Sequence, residues 1–444
     1  AGGMTITGVG STAATVMTLN AAMTLNNSGS LRVYGYDAAA GATNGISSSG
    51  AITQNVNGGS ILFKSNNLIN QSGAITIAQN TSAADSSIVF DTTLGNKTST
   101  INAGTVTFSG TSTKYINYSN ITGGAPIIVN SALNVPGSIT FDNTYINGVQ
   151  GAINASNTWT NATTTGVAIP ITANLTATNG IYVRGAVGSA SSTTAASYDA
   201  VTIAGATLQT TGTFAAGSDA INIVGIVPVY VQNPATAGSN AVKISGTVAI
   251  NNNSTGGNTN IVAYTGHYND VVTITNASTA GAIVVSAIGP VADIITVSGT
   301  LFTQNSNAGI FIASSNNGNV TPPKIVNNGT GPVVIEAGAY LGVGTVNTSG
   351  TGGVTCSSAT TNCGQITAIS GNSITSANGN VFLYAGSPGT TAVTMTTPTT
   401  LAYLNSTLGT LNFSNTLFGQ AYASGNVAAS SLPISTLAGI NTAN

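Results

Sequence analysis

General acid–base chemistry needs carboxylates or histidines held in pairs, and polysaccharide cleavage needs clustered acids with Arg or Lys nearby. This chain is poor in all of them. Its acidic residues are Asp37, Asp85, Asp91, Asp142, Asp199, Asp219, Asp270, Asp293 and Glu336, scattered over 444 positions. The single histidine, His267, lies just before Asp270 in a Gly/Asn-rich turn sequence. It reads as a surface residue rather than a base. Cys356 and Cys363 stand close together in VTCSSATTNCGQ. They are either two unrelated small residues in a loop or, the better reading, a disulfide closing a surface loop, which implies an oxidising compartment. Zinc would need further ligands that the sequence does not supply nearby. The Gly-rich piece Gly342–Gly350 has no Lys and no strand-to-helix context, so phosphate binding is not expected. We therefore assign no catalytic residue, no metal ligand and no cofactor, and expect a protein that is not an enzyme.

The scarcity of charge is itself informative. Seven Lys or Arg and nine Asp or Glu make up 4% of the chain, with a net charge of −2. Ordinary soluble domains carry about 25%. Nucleic acid and anionic membranes have no basic footprint to bind. The apolar stretch 280–297 contains Gly289, Pro290 and Asp293 and many β-branched residues. It reads as two buried strands joined by a turn, not as a membrane-inserting helix.

The elements that must position these residues are strands. Helix formers are rare, while short apolar runs such as Ser60–Lys64, Ala74–Ala78 and Ser138–Phe141 recur between Gly, Asn and Ser. One template returns five times: Asn179–Gly185, Asp199–Gly205, Asp219–Gly225, Asn240–Gly246 and Asp293–Gly299. Asp270–Asn276 is a sixth, with Asn replacing the final Gly. The starts of the first four are nearly evenly spaced along the chain. Self-similarity at a fixed period of about 20 residues marks a solenoid. The expectation is an all-β fold, a right-handed parallel β-helix (β-solenoid) with roughly 20-residue coils. Stacking identical strands in register also explains why charge is avoided, since like charges would lie one above another.

Within the template the β-branched residues at the third and fifth positions should face inward. The Gly should sit where φ is positive or a corner is tight. The leading residues Asn179, Asp199, Asp219, Asn240, Asp270 and Asp293 should form a polar row at the coil corner, capping backbone N–H groups. The competing reading of that row, a carboxylate line binding Ca²⁺ or acting on sugar, is the weaker one. Phe63, Phe90, Phe108 and Phe141 should stack in the core. Tyr34, Tyr36, Tyr115, Tyr118, Tyr264 and Tyr268 have polar neighbours, and suit either rim packing or contact with sugar rings or another subunit.

Segments Gly73–Ala78 and Ser376–Gly386 resemble the coil repeats of filamentous-haemagglutinin-type secreted exoproteins and related β-helical surface adhesins of Gram-negative bacteria. The Asn-Pro-Asn-Gly-type motif of that family's secretion module has no match here. The resemblance implies a secreted, extracellular or cell-surface rod used in adhesion, matrix or filament formation.

These readings divide the chain into a repeat body, 1–397, and a divergent segment, 398–444, suited to capping or docking. They point to a non-enzymatic structural subunit of an extracellular filament, sheath or matrix that associates end to end through open coil edges. A monomeric adhesin stalk binding glycans or a cell surface is the alternative. A polysaccharide-active β-helix enzyme is the weaker one.

Overall fold

A computed structural model describes residues 3–10, 15–26, 30–37, 44–54, 60–77, 86–91, 101–102, 106–108, 114–121, 127–130, 132–146, 149–150, 167–186, 199–215, 217–227, 240–264, 267–277, 280–288, 295–297, 301–314, 319–337, 341–342, 345–346, 366–368, 374–376, 381–385, 393–395 and 404–406. All regular structure among these residues is β. The strands run parallel in long stacked ladders, the arrangement of a β-solenoid. Two short hairpin pairs, Tyr145–Ile146 with Val149–Gln150 and Leu341–Gly342 with Thr345–Val346, are antiparallel.

The chain forms two compact units: 1–212 with 226–233, and 213–225 with 234–444. In unit one the first ladder stacks Met4–Gly10, Leu31–Asp37, Ser60–Ser65, Ser86–Asp91, Lys114–Ile121, Ile139–Ile146 and Ile181–Ala186. The second stacks Thr15–Leu19, Asn44–Ser48, Ile69–Gln71, Ile101–Asn102 and Ile127–Ile128. A parallel bridge from Val129 to Ile171 carries it on to Val167–Ile171 and Asp199–Ala204. The third stacks Met23–Leu25, Ile52–Gln54, Ile75–Ile77, Val106–Phe108, Leu133–Val135, Leu175–Ala177 and Thr207–Thr210. Each turn of the chain therefore contributes one strand to each of three ladders.

Unit two repeats the scheme. Its first ladder stacks Asp219–Ile226, Asn258–Tyr264, Ile283–Ile288, Ile310–Ser314, Val333–Ala337 and Val381–Ala385. Asn240–Asn252 and His267–Asn276 are long strands that serve two ladders at once. From them one ladder continues through Ile295–Val297, Val320–Thr321, Ile366–Ala368 and Val393–Met395. The other continues through Leu301–Gln304, Lys324–Asn327, Ile374–Ser376 and Leu404–Ser406. The strand Leu404–Ser406, inside the segment read as divergent, thus extends the ladder.

The core follows from strand alternation. In Leu31–Asp37, Leu31, Val33, Gly35 and Asp37 are buried, while Arg32 and Tyr36 are exposed. Matching residues stack directly. Ile46 lies over Ile69, Ile52 over Ile75, and Leu133 over Leu175 and then Leu208. Phe63 and Phe90 are fully buried, with ring centroids 5.1 Å apart and planes 4° from parallel. Phe141 is buried in the same row, as expected, whereas Phe108 pairs with Ile77 in another ladder. Such like-on-like rows give each β-branched or aromatic residue a partner above and below.

The template's period has a different meaning from the one expected. Register partners on neighbouring strands lie further apart in the chain than the template spacing: Ile46 pairs with Ile69, and Leu31 with Ile61. The copy at Asn179 lies on Ile139–Ile146, while the copy at Asp199 lies on Val167–Ile171. One template spacing therefore carries the chain from one ladder to another rather than around a whole coil. The length of chain between register partners also varies. Ile139 stacks directly on Ile181 without loss of register, although the chain between them is far longer than that from Ile46 to Ile69.

The template glycines do what backbone geometry requires, in two ways. Gly205 and Gly246 have φ of 62° and 71°, a region other residues avoid. At Gly185 and Gly225 the constraint is space: a Cβ would collide with the carbonyl oxygen of Ala200 or of Ala241.

Candidate functional site

Some of the residues expected to make one polar row stand in different ladders. Asn179 and Asp199 open strands in different ladders of unit one. In unit two Asn240 stands opposite His267, and Asp270 stands opposite Ile244, further along the same strand pair. The cause is the period just described, since successive copies of the template occupy different sides of the coil. Asp293, Cys356 and Cys363 lie outside the described residues. Among the described residues, no group of three His, Cys, Asp or Glu side chains converges. No helix there is long and apolar enough to cross a membrane.

Asp219 has a built environment nonetheless. Its Oδ2 accepts hydrogen bonds from Asn222 Nδ2 at 2.8 Å and Asn260 Nδ2 at 3.3 Å. Asn258 is tied into the same corner, its Nδ2 donating to Gly217 O at 3.3 Å and its Oδ1 accepting from Ala282 N at 2.8 Å. Burial pushes the Asp219 carboxyl above its ordinary pKa, against the opposing pull of the Asn260 and Asn258 amides. In unit one, Asp37 is also a corner residue. Asn66 bridges its backbone, accepting from Asp37 N and donating to Asp37 O, both at 2.9 Å. Asn67 Nδ2 donates to its carboxylate at 3.2 Å. At these two corners the Asn side chains bond the backbone, and the Asp carboxylates accept from Asn amides.

A second polar feature is a buried amide ladder in unit two. Asn252, Asn276, Gln304, Asn327 and Ser376 stack in register and are essentially inaccessible to solvent. Each amide closes the corner that follows it. Asn252 Nδ2 donates to Gly257 O at 2.8 Å, Asn276 Nδ2 to Gly281 O at 2.6 Å, and Asn327 Nδ2 to Gly331 O at 2.7 Å. Gln304 Nε2 reaches both Gly309 O at 2.6 Å and Gly281 O at 3.0 Å. The oxygens of Asn252, Gln304 and Asn327 accept from the backbone N–H groups of Ser254, Ser306 and Gly329. The ladder therefore satisfies backbone groups that turning the chain would otherwise leave buried and unpaired.

On the outward face of unit one's first ladder, Thr7, Tyr34, Lys64, Asp91, Ser119, Asp142 and Arg184 form one row. Four of the chain's sixteen charges stand in it. Lys64 Nζ meets Asp91 Oδ2 at 2.9 Å, and Asp142 lies in register with Arg184. Opposite signs are neighbours, so the row avoids the repulsion that stacking imposes on like charges.

The end of unit one is unlike its interior. Strands Met4–Gly10, Thr15–Leu19 and Met23–Leu25 each pair on one side and end their ladders among the described residues. Met4 is 52% exposed, although its register partner Leu31 is fully buried. Ile6, Met17 and Met23 are likewise only partly covered, whereas Val33, Ile46 and Ile52 one coil further in are fully buried. Three of the chain's four methionines line this open coil. The fourth, Met395, lies in the strand that ends one ladder of unit two.

Comparison with protein-family models, with curated proteins and with solved structures gives no match for the chain.

Proposed function

We propose that the chain is a non-enzymatic structural subunit of an extracellular filament, sheath or matrix, wound right-handed and polymerised end to end. What supports this reading is the parallel stacking of the ladders, whose outermost described strands pair on one side only. Among the described residues these are Met4–Gly10, Thr15–Leu19 and Met23–Leu25, and some of their core positions are only partly covered. Edges of this kind template the addition of further strands. The occupant is a second copy, whose terminal strands Val381–Ala385, Val393–Met395 and Leu404–Ser406 also pair on one side only among the described residues. Head-to-tail contacts of two different surfaces build open polymers when the rotation between copies does not close a ring. Methionine suits the joint, because its flexible thioether adapts to an imperfectly matched surface. The right hand is the one that parallel crossovers favour. Scarcity of charge and a likeness to secreted β-helical adhesins favour an assembly outside the cell.

Electron microscopy of the purified protein tests the reading. Polymers with an axial repeat equal to one subunit are expected. The double variant Met4→Lys, Met17→Lys should leave discrete particles, because each buried methionine contributes about 1.5–3 kcal/mol to the joint and each lysine must be desolvated there. Discrete wild-type particles at every concentration, or polymers unaffected by the two lysines, would refute it.

A further inference from the structure

We propose that the outward face of strand Leu31–Asp37 is a binding platform for acidic polysaccharide, engaged through Arg32, Tyr34 and Tyr36. The three side chains alternate with buried Leu31, Val33 and Gly35, so all of them point away from the core. Arg32 is exposed, Tyr34 is half-buried and Tyr36 is 49% exposed. In a chain with seven basic residues and fourteen tyrosines, this strand gathers three within five positions.

Arg32, Tyr34 and Tyr36 make no hydrogen bond or ion pair with the described residues, whereas Lys64, opposite Tyr34, is already paired with Asp91. A guanidinium with no carboxylate partner among the described residues is a fork suited to a planar anion. On the side of strand Met4–Gly10 the neighbours are small or apolar, and on the other side the Lys64–Asp91 pair stands beside Tyr34. Thr5, Thr7 and Val9 lie opposite Arg32, Tyr34 and Tyr36 on the next strand, and Val9 is 69% exposed. On the other side Leu62 lies opposite Arg32.

Chemistry selects the occupant. From Arg32 to Tyr36 the strand spans about 13 Å, with outward residues about 6.8 Å apart. That is an extended, flat surface suited to a linear polymer. Tyrosine offers an apolar ring face for the C–H face of a sugar and a hydroxyl for its edge. The uncommitted cation beside the rings adds a preference for a carboxylate- or sulfate-bearing sugar. A nucleic acid would require several basic groups for its phosphates, and one is available here. A stable protein partner covers about 800 Å², more than these few side chains offer. The platform lies on the side of the ladder and the polymer joint on its end, so the two proposals stand or fall separately.

The test uses the full chain and its variants Arg32→Gln, Tyr36→Ala and Tyr34→Ala, each confirmed folded by circular dichroism. Affinity electrophoresis is run in gels containing alginate, hyaluronate, chondroitin sulfate or neutral dextran. Retardation by at least one acidic polymer and not by dextran is expected. Arg32→Gln should weaken that binding about tenfold or more, as loss of a charge-assisted contact implies. Carboxyl-esterified polymer should be bound as weakly by the wild type as acidic polymer is by Arg32→Gln. Tyr36→Ala should reduce binding to acidic polymer, with Tyr34→Ala having the smaller effect. No retardation by any acidic polymer, equal retardation by dextran, or full affinity in both Arg32→Gln and Tyr36→Ala would overturn the proposal.

Discussion

Replacing Gln304 with Leu tests whether the buried amide ladder holds the coils of unit two in shape. The substitution keeps the volume roughly constant and removes three hydrogen bonds: Nε2 to Gly309 O, Nε2 to Gly281 O, and Ser306 N to Oε1. The two carbonyls keep other donors. Gly309 O still accepts from Ile283 N at 3.1 Å, and Gly281 O from Asn276 Nδ2 and Ser306 Oγ, both at 2.6 Å. Ser306 N is left without its acceptor, a cost of about 1–3 kcal/mol, and each carbonyl bond lost adds about 1 kcal/mol. Burying a leucine in place of the amide returns about 1.5–2 kcal/mol. The balance is a destabilisation of about 1–3 kcal/mol. A solenoid senses such a change locally, because each coil touches only its neighbours. Hydrogen exchange is therefore the right assay. Protection across the strands Leu301–Gln304 and Ile310–Ser314 should fall about 5- to 150-fold, while strands of unit one keep theirs. The exposed neighbour Asn305→Ala should change protection by less than about twofold. Unchanged or increased protection in Gln304→Leu would show that leucine serves as well as the amide, and the corner-closing role would be wrong.

Two further outcomes follow from the same packing. Phe90→Ala removes a fully buried ring stacked on Phe63. It should cost about 3–5 kcal/mol in denaturant unfolding, and a loss under about 1 kcal/mol would show that the aromatic row does not support the core. Asp219 has a carboxyl pKa raised by burial, so the folded state holds its proton to higher pH than the unfolded state does. Its contribution is therefore most favourable below the ordinary carboxyl range, and is lost as pH rises from there through the raised folded value. Asp219→Asn should increase hydrogen-exchange protection of Asp219–Ile226 at neutral pH and flatten its acid-side rise. Equal pH profiles for the two proteins would refute the assignment.

Composition and short β-branched runs made the parallel stack legible, because few folds tolerate so little charge and so many strand-length segments. The inward positions of the template were legible too: Val201 and Ile203, and Ile221 and Ile223, are fully buried. What misled was the period. The recurring Asp-x-β-x-β-x-Gly pattern records the chemistry of one strand and its corner, and the same strand chemistry serves different sides of the coil. Periodicity alone cannot tell a side from a turn. The amide ladder was missed because it sits at strand ends rather than at their starts. Its signal is present in Asn252-Asn253-Ser254, Gln304-Asn305-Ser306 and Asn327-Asn328-Gly329. In each, a buried amide is followed two positions later by the backbone N–H it captures. Of the outward face of Leu31–Asp37, the two tyrosines stood out in the sequence, but their shared side with Arg32 needed the strand's alternation.

The tolerance of the ladders for unequal coils has a practical corollary. Val333–Ala337 and Val381–Ala385 are direct ladder neighbours although more residues separate them than separate Ile310–Ser314 from Val333–Ala337. Sequence inserted at such a corner need not contribute to holding the scaffold together. New segments grafted there would be displayed as side branches of a fixed trunk, at heights set by the strand spacing of about 4.8 Å. Natural variation has the same freedom, so relatives of this chain could diverge widely in what they present while keeping the same trunk.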